Sequence, residues 1–467
     1  MKNFDLIIIG GGAGAFAAAI RANELEANTA IINAGLPLGG TCVNVGCVPS
    51  KTLLWAAETI HHAKHHQIPG VELEVKNFDF QKVVQDELAL VEKLRQEKYE
   101  KVLQNLKYVT AIEGKATFDS ANQVAVNDEK LTAEKFIIAT GSTATVPPID
   151  GIRDVGFITH IEALRLEKLP QSLVVIGAGP VGLEFAQMFA RFGTKVTILQ
   201  RGGSIFPPAE NQLTHRLTEI LTNEGIDIKT NAEVTSARIE NGQKIVSFLV
   251  GDAEEKVAAE EILLAAGKTP NTHGLGLDLA GVEINDRQAV VVSENFLTSN
   301  QSMAAVGDVT NAPLRLETTA GREGTLAAEN ILKGTTLAID YHTVPYTIFT
   351  DPQLAGVGLT EDDQMKEMGV CACRTVSLKD VPKAIIMRRT EGLVKMAIYP
   401  DSHQIQGVHI LAPNAGELIA EAMMLVKNKN TIEDVINSLP MFPTLAEAIK
   451  LAALSYTKDI SKLSCCI

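Results

Sequence analysis

The chain has 467 residues, a formal net charge of −14, 46% hydrophobic residues and 21% charged residues. The length predicts roughly three domains of about 150 residues each, and the composition is that of a globular protein. The acidic balance argues against a nucleic acid or an anionic membrane surface as partner. No apolar run reaches the roughly 20 residues that span a bilayer. No export signal is recognisable, so we expect a cytoplasmic protein whose cysteines are reactive or metal-binding.

Two segments, residues 5–33 and 172–201, follow one plan. Each has an apolar run, a glycine turn, a helical stretch and a second apolar run, which predicts a βαβ unit. The turns match G-x-G-x-x-G/A, where missing side chains let backbone N–H groups approach a pyrophosphate. One match could be a plain glycine turn, but two in the same context favour two nucleotide sites. The predicted contacts are Gly10, Gly12, Gly14 and Ala15 in the first turn, and Gly177, Gly179 and Gly182 in the second.

The end of the second strand of such a unit usually carries an acid that binds a ribose hydroxyl. Asn33 takes this position in the first unit, where it can still form a hydrogen bond. In the second unit Gln200 is followed by Arg201. Losing the acid and gaining a cation favours a 2′-phosphate, so we predict NADPH rather than NADH. A solvated loop arginine is the alternative.

The rest of the chain predicts a long amphipathic helix near residues 80–106 and a turn-rich boundary near residues 146–170. After about residue 340, alternating strand patterns and two late helical patterns predict a third, α+β domain.

A pair of cysteines follows the first unit in the segment GGTCVNVGCVPSK. Pro49 favours a helix start that leaves Cys47 near the N-terminus, where the helix dipole lowers a thiol pKa. A zinc site would need two more ligands at suitable spacing. A buried structural pair remains possible, but the flanking glycines favour a reactive pair formed by Cys42 and Cys47.

This segment resembles the redox-active disulfide of the flavin-dependent disulfide reductases. Further signatures of that family follow in order, ATGS at 139–142, GKTPNT at 267–272 and VGDVT at 306–310. The resemblance implies an α/β fold with two Rossmann-like dinucleotide-binding domains, for FAD and for NADPH, and a C-terminal α+β dimerisation domain. The expected boundaries are 1–148 and 268–337 for the FAD-binding domain, 149–267 for the NADPH-binding domain and 338–467 for the interface domain of a homodimer.

The resemblance also implies roles for individual residues. Cys47 would be the thiol beside the flavin and Cys42 the thiol that faces the substrate. Lys51 and Glu184 match positions that pair beside the reactive flavin ring and stabilise developing charge. Asp308 would bind the ribityl chain of the flavin. The other expected cofactor contacts are Asn33, Thr41, Lys51, Thr140, Gly141, Ser142 and Gly267.

The substrate expectation comes from the C-terminal region. Relatives that reduce an organic disulfide carry H-P-T-x-x-E, whose histidine passes a proton to the leaving thiol. Here the motif reads FPTLAE, and the phenyl ring of Phe442 cannot transfer protons. The chain also ends in two adjacent cysteines, Cys465 and Cys466, whose Cα atoms about 3.8 Å apart are too close for a comfortable disulfide.

These features resemble the branch of the family that reduces Hg(II), a soft ion that binds thiolates. Cys465 and Cys466 would collect Hg(II) from thiol complexes and pass it to Cys42 and Cys47 of the partner subunit. Tyr99 would line that pocket, and Phe442 stands where the branch usually has a second tyrosine. An N-terminal metal-binding domain found in many relatives is not expected, because the flavin motif begins at once.

Two other functions stay open. A thioredoxin reductase-like enzyme could use the terminal pair to reduce a protein disulfide, although it should keep the histidine. A non-catalytic soft-metal binder would leave both nucleotide sites idle. The histidines of HHAKHH could bind a divalent ion at i, i+4 spacing, but a solvated helix end is favoured. Cys371 and Cys373 are interpreted as ordinary strand residues.

Overall fold

The computed structural model describes residues 2–464, so that Cys465 and Cys466 lie outside the described residues. The chain divides into two compact units. The first unit comprises residues 1–52, 82–146 and 267–341, and the second comprises residues 53–81, 147–266 and 342–467. Within residues 2–464, no helix combines the length and apolar character needed to cross a membrane.

The strands are β1 (Lys2–Ile9), β2 (Thr29–Asn33), β3 (Val109–Glu113), β4 (Thr117–Ser120), β5 (Gln123–Val126), β6 (Glu129–Ile138), β7 (Ser142–Ala144), β8 (Ser172–Ile176), β9 (Lys195–Leu199), β10 (Asp227–Lys229), β11 (Ala232–Glu240), β12 (Gln243–Val250), β13 (Ala253–Ala259), β14 (Glu261–Leu264), β15 (Lys268–Pro270), β16 (Met303–Ala305), β17 (Tyr346–Ile348), β18 (Gln353–Gly358), β19 (Cys373–Ser377), β20 (Leu393–Ile398) and β21 (Ile405–Ala412).

The helices are α1 (Ala13–Glu24), α2 (Gly40–Val45), α3 (Cys47–His65), α4 (Phe80–Arg95), α5 (Lys101–Gln104), α6 (Ile152–Val155), α7 (His160–Ala163), α8 (Pro180–Phe192), α9 (Asn211–Asn223), α10 (Glu317–Lys333), α11 (Glu361–Met368), α12 (Pro382–Met387), α13 (Ala415–Lys427), α14 (Ile432–Ile436) and α15 (Glu447–Leu454). A π-helical turn, Gln96–Glu100, joins α4 to α5.

The first unit is built on a sheet in the order β3-β2-β1-β6-β5-β4, with β16 also paired to β6. The pairs β1–β2, β1–β6, β2–β3 and β16–β6 are parallel. Residues 6–9 of β1 are all buried because both sheet faces are covered, as is usual for a central parallel strand. The helices α1 and α10 share one apolar cluster with this sheet. The first predicted βαβ unit is therefore confirmed as β1–α1–β2.

The second unit contains a parallel sheet in the order β10-β9-β8-β14 and an antiparallel sheet β11-β12-β13. The second predicted βαβ unit is confirmed as β8–α8–β9. Helix α8 starts with Pro180 in its first turn, where a missing N–H costs nothing, and stops at Gly193, whose left-handed φ of 113° ends a helix easily. The α/β fold class predicted from the sequence is confirmed.

The C-terminal part of the second unit is an antiparallel sheet in the order β17-β18-β21-β20-β19. Its core is formed with α13, α14 and α15, and includes Ile410, Ile419 and Ile449. This is the predicted α+β arrangement. The helix predicted near residues 80–106 is helical over residues 80–104, but it is interrupted by the π-helical turn at Gln96–Glu100.

Candidate active site

The first glycine turn lies between β1 and α1. Gly10 has a φ of 132°, and a Cβ added there would lie 2.2 Å from the carbonyl oxygen of Ala139. Gly12 is the N-cap of α1 and has no side chain to cap the first helical N–H groups, which leaves those donors for an anion. The nearest heavy atom to an added Cβ at Gly12 would be 3.8 Å away, at Gly40. The turn therefore has the tight bend and the open helix end that a pyrophosphate needs.

Gly14, whose predicted contact with the cofactor stays a prediction, also lies where α1 crosses α10. An added Cβ would lie 3.1 Å from the carbonyl oxygen of Ala320 on α10. On the other side of the crossing, a Cβ on Gly324 would lie 2.1 Å from the carbonyl oxygen of Gly14. These two glycines let the backbones of α1 and α10 touch. Gly324 is a residue that the sequence analysis missed, because its need for space arises from a helix distant in sequence.

The second glycine turn has the same organisation between β8 and α8. Gly177 has a φ of 108°, and a Cβ there would lie 2.4 Å from the carbonyl oxygen of Ala265. A Cβ on Gly182 would lie 2.0 Å from the carbonyl oxygen of Gly177, so both glycines are required by the protein itself. A Cβ on Gly179, by contrast, would meet no heavy atom within 4 Å. The open space at the N-cap of α8 fits a dinucleotide.

The residues that replace the usual ribose-binding acids are held by local hydrogen bonds. The amide of Asn33 donates to the carbonyl of Leu36 at 3.0 Å. Gln200 accepts the N–H of Ala178 at 3.1 Å and donates to the carbonyl of Ser204 at 3.1 Å, so it braces the second turn. Arg201 follows it and is exposed. Its position beyond the end of β9 suits the predicted role toward a 2′-phosphate, and that role stays a prediction.

Cys42 and Cys47 are brought together by two consecutive helices. Cys42 lies in α2 and is half-buried, whereas Cys47 is the first residue of α3 and is exposed, and both are free thiols. Gly46 joins the helices, and a Cβ there would lie 2.9 Å from the carbonyl oxygen of Thr41. The helix thus begins two residues before Pro49, where the sequence had suggested its start.

The two thiols have opposite acidities. The pKa of Cys47 falls from 9.0 to about 7, chiefly because the Cys42 thiol hydrogen-bonds to it, with Lys51 one helical turn away as a further cause. The same hydrogen bond and burial raise the pKa of Cys42. A lowered pKa at Cys47 was predicted from the helix start, and the neighbouring Cys42 thiol is its main cause. The pair is therefore set up as one thiolate and one thiol donor.

Asn44 fixes the loop around this pair. Its amide donates to the carbonyls of Pro37, Leu38 and Gly40 at 3.0, 3.1 and 2.8 Å. Its oxygen accepts from Arg95 of α4 at 3.3 Å. Asn44 was not predicted, and the only signal for it in the sequence is an amide between two reactive cysteines, because its burial appears only in the fold.

Tyr99 lies in the π-helical turn, a local widening that often occurs at functional sites. Its ring packs edge-to-face on Phe16, with centroids 5.0 Å apart. Burial raises the pKa of Tyr99 to about 12, and electrostatic interactions with the cysteine pair and with Glu317 act in the same direction. The phenol is therefore neutral, and its electrostatic coupling to Cys42 agrees with the predicted position near the dithiol.

The signature segments 139–142 and 267–272 are joined by hydrogen bonds. Thr140 donates its hydroxyl to the carbonyl of Asn271 at 2.8 Å, and Asn271 donates its amide to the carbonyl of Thr140 at 2.9 Å. The N–H of Asn271 donates to the carbonyl of Gly141 at 2.9 Å, and that of Thr145 donates to the carbonyl of Gly267 at 3.0 Å. Several of the predicted cofactor contacts therefore lie in two segments, 139–145 and 267–271, that are hydrogen-bonded to each other and are called the strap below.

Asp308 lies beside this strap, where its carboxylate accepts the hydroxyl of Ser142 at 2.7 Å. The preceding residue, Gly307, donates its N–H to Glu323 at 2.6 Å, and Tyr341 donates its hydroxyl to the same carboxylate at 2.8 Å. Burial raises the pKa of Glu323. Glu323 and Tyr341 position the Asp308 loop, and neither was found from sequence because their partners are distant along the chain.

Glu184 is buried in α8 and accepts the N–H of Phe349 at 2.9 Å. It belongs to the second unit and Lys51 to the first, so their predicted pairing stays a prediction. In the FPTLAE motif, Glu447 accepts the N–H of Thr444 at 3.2 Å, a contact within the turn that leads into α15. Phe442 is 43% exposed. Glu447 thus bonds to the backbone of its own motif.

The histidines of HHAKHH are not solvated as a group. His62 contacts Asp351 through Nε2 at 2.9 Å, and Arg191 contacts the same carboxylate at 3.1 Å. Arg389 also pairs with Asp351. Burial lowers the pKa of His62. His62 therefore belongs to an ion-pair cluster with two arginines, and the solvated interpretation is corrected for His62.

Cys371 and Cys373 are joined by a disulfide, with Cα atoms 5.6 Å apart. The interpretation of both as ordinary strand residues is therefore incomplete. Only Cys373 belongs to β19, and Cys371 precedes the strand by two residues.

Two dinucleotide turns and a thiolate–thiol pair at a helix start define an oxidoreductase that couples a nucleotide to a dithiol. Residues 4–324 match the family model described as pyridine nucleotide-disulphide oxidoreductase, and residues 344–453 match the model of that family's dimerisation domain. The chain belongs to the pyridine nucleotide-disulphide oxidoreductase family. FAD and NADPH are its cofactors, and the dimerisation domain supports a homodimer.

Similar proteins include a mercuric reductase of Lysinibacillus sphaericus, 38% identical over 467 residues, which cover 99% of this chain and 84% of the relative. A mercuric reductase of Streptomyces lividans is 39% identical over 471 residues, covering 99% of this chain and 98% of the relative. Among solved structures, the Cu(II) complex of the HOCl-induced flavoprotein disulfide reductase RclA from Escherichia coli has a TM-score of 0.87 at 28% identity. That alignment covers 98% of this chain and all of the other.

Proposed function

We propose that this flavoenzyme uses NADPH to reduce Hg(II) to Hg(0), as part of mercury detoxification in the cytoplasm. The observation that carries the proposal is the thiolate–thiol pair of Cys47 and Cys42, whose acidities suit stepwise capture of a soft cation. Full-length similarity to proteins named mercuric reductase supports it.

Phe442 supports the choice of substrate. Reduction of an organic disulfide leaves a thiolate that must be protonated, and a phenyl ring cannot supply that proton. Reduction of Hg(II) requires sulfur ligands and does not require a proton donor at position 442. Tyr99, with its pKa of about 12, stays neutral and can contact the metal-bearing thiolates without competing for protons.

The proposed reaction balances as one Hg(II) bis-thiolate, one NADPH and one proton giving Hg(0), NADP⁺ and two thiols. Bound FAD supplies the relay of two electrons between nicotinamide and dithiol. Cys42 and Cys47 replace the small thiols as ligands of Hg(II), and Lys51 stabilises the thiolate of Cys47. Asp308, Ser142 and the strap around Thr140 hold the flavin side of the site.

In this proposal the C-terminal residues deliver the ion to Cys42 and Cys47 of the partner subunit. The last described residues, up to Ser464, line a cavity of about 260 Å³ together with Glu447 and Lys450. The chain thus approaches its end beside the FPTLAE motif of its own subunit. The pair Cys465 and Cys466 follows directly, outside the described residues.

We further propose the domain boundaries and cofactor contacts given from sequence. The FAD-binding domain would comprise residues 1–148 and 268–337, the NADPH-binding domain 149–267 and the interface domain 338–467. Arg201 would contact the 2′-phosphate of NADPH, and the glycines at 177, 179 and 182 the pyrophosphate.

The test measures NADPH oxidation by the holoenzyme supplied with Hg(II) and excess small thiol, with Hg(0) vapour measured in parallel. We expect continuous turnover with equal amounts of NADP⁺ and Hg(0). Consumption that stops after one equivalent would indicate sequestration instead. Turnover with thioredoxin but none with Hg(II) would support the disulfide reductase alternative.

A second comparison tests the delivery step. The double variant Cys465→Ala, Cys466→Ala should lose turnover with bulky Hg(II)–dithiol complexes while NADPH still reduces its flavin. Unchanged turnover would show that the terminal pair is not the delivery arm. The variant Ser464→Ala, one residue earlier, serves as the matched control and should behave as the unmodified enzyme.

A further inference from the structure

The segment Cys371–Ala372–Cys373 holds a pair of cysteines that the proposed reaction does not use. The chain has six cysteines, and the other four form the dithiol of the active site and the C-terminal pair. Cys371 and Cys373 are half-buried at the start of β19, which lies at the edge of the antiparallel sheet. Both residues are therefore only partly covered by the protein.

A carboxylate lies against this pair. One ligand atom from each of Glu361, Cys371 and Cys373 falls within 4.8 Å of the others. Glu361 is the first residue of α11, and its side chain is 46% exposed. Two sulfur donors and one oxygen donor thus converge on one point at the protein surface.

The carboxylate of Glu361 can turn to a cation without leaving a buried charge unpaired. Its present partner, Lys395, has a side chain only 4% exposed and would be costly to leave alone. Lys395 also pairs with the buried Glu210 at 2.7 Å. That second ion pair keeps Lys395 neutralised when Glu361 is engaged elsewhere.

Gln364 fixes the position of the segment by contacts that do not depend on the disulfide. It is fully buried and donates its amide to the carbonyl of Ile398 at 3.1 Å. Its oxygen accepts the N–H of Ala372 at 3.3 Å and lies 3.5 Å from the sulfur of Cys373. When the disulfide is reduced, the Cys373 thiol can donate to this oxygen. These contacts hold Ala372 and Cys373 in place in the reduced form, and Cys371 is the adjoining residue of the chain.

We propose that reduced Cys371 and Cys373, together with Glu361, bind a thiophilic divalent metal ion at a site separate from the active-site dithiol. Paired thiolates select soft ions over the hard ions that prefer oxygen. Three donors fall short of the four protein ligands of a structural zinc site, whereas two thiolates suffice for Hg(II). The inference does not depend on the proposed reaction, because it concerns binding alone.

The chemistry needs only a small thiol, which acts first as reductant. Two thiols reduce the Cys371–Cys373 disulfide and leave as one small disulfide. The freed dithiol then displaces two thiols from an Hg(II) bis-thiolate and takes the metal. The oxidised pair has no thiolate and should bind no metal, so the redox state of the segment decides its occupancy.

The test uses a variant in which Cys42, Cys47, Cys465 and Cys466 are all replaced by alanine, so that this pair supplies the only sulfhydryls. After reduction, Hg(II) is added with excess small monothiol, and protein-bound mercury and thiolate-to-mercury absorption are measured after gel filtration. We expect one equivalent of mercury per chain. The matched control adds Cys371→Ser and Cys373→Ser and should retain none, and Glu361→Gln should weaken retention about tenfold.

Flavin content and circular dichroism check that each variant is folded. If the four-alanine variant is not folded, the holoenzyme with all its cysteines gives the answer instead. There, Hg(II) should protect Cys371 and Cys373 from alkylation, as read by peptide mass. Mercury retention equal to that of the serine control, or alkylation of both cysteines at the same rate with and without Hg(II), would overturn the proposal.

Discussion

The acidity of Cys47 offers the sharpest test of the site. Its pKa of about 7, against an ordinary 9.0, arises first from the hydrogen bond of Cys42 and then from Lys51. At pH 7 about half of Cys47 is therefore thiolate. Because the folded-state pKa is lowered, reactivity should rise as the pH increases through 7. Replacing Cys42 with alanine removes the largest cause, so we expect the midpoint to move up by about one to two units.

The expected size of the pKa shift in Cys42→Ala decides whether the rate or the pH midpoint should be measured. A shift of two units would lower the thiolate fraction at pH 7 about 50-fold, but each thiolate would become about eightfold more nucleophilic, since reactivity rises with basicity. The rate at pH 7 would then fall only about sixfold. The midpoint of the alkylation rate of Cys47 against pH is therefore the clearer quantity. It is obtained by alkylating the folded enzyme at each pH and measuring the Cys47 peptide by mass spectrometry.

Two further variants complete this experiment. Cys42→Ser keeps a hydrogen-bond donor and should shift the midpoint less than Cys42→Ala, and Lys51→Ala should shift it upward by a smaller amount. A midpoint that stays near 7 in Cys42→Ala would refute the reasoning. A larger shift in Lys51→Ala than in Cys42→Ala would refute the ranking of the two causes.

Other predictions use the same enzyme. Gly179→Ala should keep the melting temperature of the unmodified enzyme but weaken NADPH binding by about tenfold or more, or 1.4 kcal/mol. Gly182→Ala should lower the melting temperature, because its Cβ would lie 2.0 Å from a backbone oxygen. Equal melting temperatures for the two variants would contradict this reasoning. Phe442→His should raise turnover of a small disulfide by about a hundredfold by restoring a proton donor, and no gain would argue against the proton-transfer explanation. Asp351→Asn should lower the free energy of unfolding in urea by about 1–2 kcal/mol, because Arg191 loses one charged partner but keeps Glu224. A change within error would mean that this ion-pair cluster does not stabilise the fold.

Local patterns predicted the nucleotide turns well. Gly10 and Gly177 have positive φ values that side chains disfavour, so the turns leave a clear mark in the sequence. The apolar runs before them are buried strands, as central parallel strands require. The position of Cys47 at a helix start was also readable, since Pro49 favours the first helical turn.

Contacts between distant residues were not readable. His62 and Asp351 are 289 positions apart, and neither position alone predicts an ion pair. The Cys371–Cys373 disulfide and the carboxylate beside it depend on how α11 meets β19, which the strand pattern does not encode. The π-helical turn that carries Tyr99 was likewise absent from the periodicity, because one wider turn barely alters a helical pattern.

The backbone crossing of Gly14 and Gly324 has a consequence for biosynthesis. Helix α1, which follows the first glycine turn, packs on α10. Gly324 of α10 is translated 310 residues after Gly14, and the second βαβ unit lies between them. At about 5–20 residues per second, the ribosome needs tens of seconds to bridge that gap. Nascent chains released before Gly324 should therefore retain no flavin. The cofactor should bind only after α10 has been made and has packed against α1.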